Sequence, residues 1–61
     1  MRSTMQIFKN SNYSIQFQSA HKILAFHWEE GHSKMSYEDF QEACTNFLGY
    51  GFEYQAQHIL I

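Results

Sequence analysis

Four side chains able to bind a divalent metal crowd one stretch of this chain: His27, Glu29, Glu30 and His32. Imidazole and carboxylate are ligands that zinc and similar ions accept. The spacing works against a site. His27 is expected on one side of a strand, whereas His32 stands beyond Gly31, and no second His-x-His or His-x3-His element joins them. The reading is a strand-end histidine followed by a solvated acidic loop, with no metal and no cofactor. His21 and His58 stand alone. Cys44, the one cysteine, could act as a nucleophile beside a histidine. It falls between Ala43 and Phe47 on an apolar helix face, so it is expected to be buried and inert. Gly49-Tyr50-Gly51 resembles a phosphate loop, but it follows a helix, and anion sites use helix N-termini. Tyr50, Phe52 and Tyr54 are different: aromatic rings with polar tips suit an interface or a pocket rim. With Trp28, Ile59 and Ile61 they form the candidate interface or pocket, Trp28 being left open between core and interface. No residue is assigned a catalytic role.

The elements that must position these residues follow from period and caps. Met5–Phe8 is a short apolar stretch that makes a first strand, and Lys9–Asn12 a turn rich in residues that bond their own backbone. Tyr13–Gln18 alternates strictly, with Tyr13, Ile15 and Phe17 expected on the buried face and Ser14, Gln16 and Gln18 on the wet one. Ile23–Trp28 is apolar on both faces, as a central strand is, and residues 29–34 read as a polar loop. Ser36 and Asp39 have capping-box spacing, and Met35 and Phe40 the spacing of a hydrophobic staple. Tyr37, Phe40, Ala43, Cys44, Phe47 and Leu48 make one apolar helix face, and Gly49 is expected to end the helix. A last strand runs near Gln57–Ile61. The order β-β-β-α-β implies a small α+β fold: a mixed sheet whose first three strands are antiparallel, with one amphipathic helix. Its strand–helix–strand unit is expected to be a right-handed crossover that ends parallel to the third strand.

Composition sets the limits. A chain of 61 residues is one small domain. A core of that size rarely supplies more than about 3–5 kcal/mol. Yet 44% of the residues are hydrophobic and 18% aromatic, more than one small core can cover. Arg2, Lys9, Lys22 and Lys34 are scattered and the net charge is −2, which speaks against nucleic acid as a partner. No apolar run is long enough for a membrane span, and Met1–Thr4 does not begin a signal peptide. A lone thiol suits the cytoplasm. The apolar end, Ile59-Leu60-Ile61, leads us to expect burial there, part of it supplied by another chain: a homo-oligomer, or a longer fold of which this is the front.

The strand Tyr13–Phe17, the strand Ile23–Trp28 with a glycine after it, the segment Met35–Phe40 opening a helix that reaches Leu48, and the strand His58–Ile61 together resemble the first half of bacterial STAS-like domains. That family holds anti-sigma-factor antagonists and SEC14-like lipid-binding proteins. The resemblance covers nearly all of this chain but about half of the family's domain. It implies a non-catalytic interaction or regulatory module with a protein partner, or alternatively a protein that binds a small apolar ligand or lipid at a dimer interface. The antagonists' phosphorylatable serine follows the strand that corresponds to His58–Ile61, so no residue here inherits that switch.

Overall fold

A computed structural model of the chain describes residues 4–61; Met1, Arg2 and Ser3, on which the leader reading partly rests, lie outside them. The described elements are β1 (Thr4–Lys9), β2 (Tyr13–Gln18), β3 (Ile23–Trp28), a 3-10 turn (Glu30–Lys34), α1 (Tyr37–Glu53) and β4 (His58–Leu60). The strands form one mixed sheet in the order β1-β2-β3-β4, and the fold is α+β. β1–β2 and β2–β3 pair antiparallel, and β4 pairs parallel with β3. The β1–β2 turn is held by Asn10, whose Oδ1 accepts from the backbone N–H groups of Asn12 (2.8 Å) and Tyr13 (2.9 Å). This is the local bonding that makes asparagine a turn residue.

Alternation in β2 sends Tyr13, Ile15 and Phe17 into the core, where Leu24, Ala43 and Phe47 meet them. Ile15 and Leu24 are fully buried. Ser14, expected on the wet face, is buried as well. It is a small side chain on a central strand, flanked by Lys9 of β1 on one side and His27 of β3 on the other. Rings run across the sheet into the helix: Phe8 stacks on Tyr13 at 5.2 Å, Tyr13 on Phe26 at 5.0 Å, and Phe26 meets Phe47 edge-on at 5.2 Å. The buried Tyr13 keeps its hydroxyl satisfied by accepting from Asn46 Nδ2 at 3.0 Å, as a buried polar tip requires.

Helix α1 begins as its caps dictate. Ser36 Oγ accepts from the Asp39 N–H (3.1 Å), and Asp39 Oδ2 accepts from the Ser36 N–H (3.2 Å), which satisfies two otherwise orphaned donors. Met35 packs against the core. The segment expected as a polar loop contains a 3-10 turn, tied to the β1–β2 turn by the Glu29 N–H donating to Asn12 O at 2.9 Å and the Gly31 N–H donating to Ser11 O at 2.9 Å.

The helix does not stop at Gly49. It runs through Gly49 and Gly51 to Glu53, which moves Phe52 from the expected connection into the helix. Its end is built on Gln55, in the left-handed region at φ 54°. The Ala56 N–H donates to Gly51 O (3.0 Å) and the Gln55 N–H to Phe52 O (3.2 Å), the paired bonds of a Schellman end with glutamine where glycine is usual. A glycine marks a permitted stop; the stop occurs where the chain must turn back to reach β4.

Cys44 is exposed, against the expectation of a core thiol. Its neighbours on the apolar face explain this. At about 100° per residue, the apolar positions of α1 run from Tyr50 round to Phe52 over roughly 200°, about twice the stripe that one sheet face needs. The sheet takes Ala43 and Phe47, while Phe40, Cys44 and Leu48 lie past its cover. β4, the strand on that flank, has only three residues.

Candidate functional site

The uncovered part of the apolar arc and the short fourth strand make one continuous surface. A cleft of about 200 Å³ is lined by Phe47, Leu48, Gly51, Phe52, Ala56 and Ile59. A second, of about 110 Å³, is lined by Phe26, Trp28, Phe40, Ala43, Cys44, Phe47 and Ile61. They share Phe47, so they are two ends of one groove between α1 and β4. Its walls are open: Phe52 is 85% exposed, Leu48 59% and Ile59 58%. Ile59 is the Cα partner of the buried Leu24, so it shares the helix-side face of the sheet, as does Ile61 two residues on. Leu60, also 58% exposed, projects to the other face.

The strand and helix periods sort the predicted residues into two groups. Phe52, Ile59, Ile61 and Trp28 come together along the groove. Trp28 stacks on Phe40 at 6.2 Å and meets Phe26 edge-on at 4.7 Å, half in the core and half at the groove mouth. Tyr50 and Tyr54 leave this group. They lie one turn apart on the opposite flank of α1, where Tyr50 meets Phe8 at 6.2 Å and Tyr54 meets Phe17 at 5.2 Å. They close the core against β1 and β2. Leu48, Phe40 and Cys44, from the apolar helix face, join the groove, while Leu60, expected at the interface with Ile59 and Ile61, faces the other side of the sheet. The signal was present in the width of the apolar arc, which exceeds what one sheet face can cover.

The histidine–glutamate stretch is divided by the same alternation. His27 lies on the sheet face away from the helix, opposite Ser14. His32 turns to the helix side, its ring 5.4 Å from Trp28 and its Nδ1 2.8 Å from Glu29 O. Among the described residues, no three His, Cys, Asp or Glu side chains gather to hold an ion. No helix of the described residues is long and apolar enough to cross a membrane. The chain matches no family model, and no curated protein or solved structure matches it.

Proposed function

We propose that this chain is a non-catalytic interaction module that docks a protein through the groove between α1 and β4. The observation that carries this reading is the bare apolar wall made by Leu48, Phe52 and Ile59. A contiguous apolar surface on a small domain marks a binding site for protein or another apolar partner. The shape of the groove supports protein over a small apolar ligand: its walls stand open, with Phe52 85% exposed, whereas small-molecule sites enclose most of their ligand. The resemblance to STAS-like regulatory domains enters as an analogy in element order alone: an antiparallel start, then a helix leading to a strand parallel to the third.

The test is a photo-cross-linking amino acid placed at Phe52, with the same group at Gln16 on the far sheet face as the comparison. Discrete protein adducts from position 52 and none from position 16 are expected. Equal yields from the two positions, or no adduct from position 52, would end this reading. Thermal stabilisation by acyl chains without any protein adduct would move the function to apolar-ligand binding.

A further inference from the structure

The groove has one border made of backbone as well as side chains, the outer edge of β4. The His58 N–H donates to Lys22 O at 3.1 Å, and Leu24 pairs with Ile59. Backbone groups alternate sides along a strand, so the N–H and C=O of Ile59 point away from β3, into the unoccupied position beside β4. An unpaired edge of this kind is a template for another strand. The opposite edge, β1, carries a register shift between Gln6 and Phe8 and ends on Lys9. A bulge and an edge lysine are devices that discourage pairing. The β4 edge has neither: its residues are His58, Ile59 and Leu60.

We infer that a second copy of this chain closes the groove, by antiparallel pairing of β4 with β4 across a two-fold axis, with Leu60 opposite the partner's Leu60 and Ile59 opposite the partner's Ile61. This rests on the docking role proposed above and names its partner. Three arguments favour this arrangement. The outward groups of Ile59 and Ile61 are those an antiparallel pair exchanges in this register. The two-fold axis of such a pair stands perpendicular to the sheet, so both α1 helices remain on one face, and Leu48 and Phe52 of each chain turn toward the partner's groove. Finally, the composition fits: Leu48, Phe52, Ile59, Leu60 and Ile61 are each more than half exposed at this border, as the apolar centre of an interface between copies requires. Pairing β4 to β1 instead would be head-to-tail and open-ended, and the β1 bulge opposes it.

The test is the mass of the chain in solution by light scattering over a wide concentration range, with charge variants at Leu60. The wild-type chain is expected at twice 7.3 kDa. Leu60→Glu and Leu60→Lys, each placing like charges opposite one another at the axis, are expected to lose the dimer and run as monomers. An equimolar mixture of the two is expected to restore it as a heterodimer. Phe52→Ser, away from the strand, weakens self-association at least about tenfold. A wild-type chain that stays monomeric, a dimer that survives Leu60→Glu, or a mixture that fails to re-associate overturns the inference. In each of those cases, adducts from position 52 to a different protein would leave the docking role standing without self-association.

Discussion

Helix α1 has two flanks, and they are finished differently. Toward β1 and β2, Tyr50 and Tyr54 lie against Phe8 and Phe17, and the core beneath them is closed. Toward β4, Leu48 and Phe52 stand over a three-residue strand and remain bare. Both flanks are apolar, so side-chain type does not separate core from surface here. What separates them is the amount of sheet beneath each: two six-residue strands on one side, and three residues on the other. An apolar helix stripe is a request for cover, and the sheet decides which part of it is met.

The strongest way to break this comparison is to delete one apolar side chain from each region. To keep self-association out of the measurement, both changes are made in a Leu60→Glu background. Leu24→Ala, at a fully buried site, is expected to lose about 2–5 kcal/mol. That is comparable to the roughly 3–5 kcal/mol a core of this size supplies, so the cooperative melt disappears. Leu48→Ala on the open flank is expected to change stability by no more than about 0.5 kcal/mol. Equal losses in chemical denaturation would erase the distinction.

The closed region also depends on close approach of backbone. A Cβ at Gly31 would fall 2.5 Å from Ser11 O and 2.8 Å from Asn12 Oδ1. Gly31→Ala must therefore push the 3-10 turn off the β1–β2 turn, at roughly 1–3 kcal/mol, visible as a lowered midpoint in urea. Ser36→Ala removes half of the capping box and is expected to cost about 1 kcal/mol, while Ser36→Asp retains most of it.

Two substitutions at the far end of α1 are expected to be small gains. A Cβ at Gly49 meets nothing within 4 Å, so Gly49→Ala is expected to stabilise by about 0.5–1 kcal/mol. Gln55→Gly removes a side chain from a left-handed position and is expected to stabilise by up to about 1 kcal/mol. Thermal melts of the two variants check both. A loss at Gly49 would contradict the open space around that position on the polar face of α1.

Much of the framework was legible before any coordinates. The alternation of Tyr13–Gln18, the doubly apolar Ile23–Trp28 and the Ser36–Asp39 box are signals contained within a few residues, and each became the element it predicted. The errors share one origin. A stop at Gly49, a core Cys44 and a solvated Ser14 each fail on tertiary neighbours: the path to β4, the narrow cover of β4, and the strands paired on both sides of β2. The triplet Tyr50, Phe52 and Tyr54 was divided for the same reason. As a connection it would be one cluster, and as helix it points two ways.

By itself, then, the sequence determined the order of strands and helix and the face each one wants to hide, because period and capping are local physics. Tertiary structure alone decided which of those faces found cover. That outcome depends on how many residues of sheet lie under each flank of α1, a quantity no window of residues contains. Ile59 illustrates the division. Its apolar character marks it for burial, and only the pairing of β4 with β3 reveals that its backbone and half its surface face an empty edge.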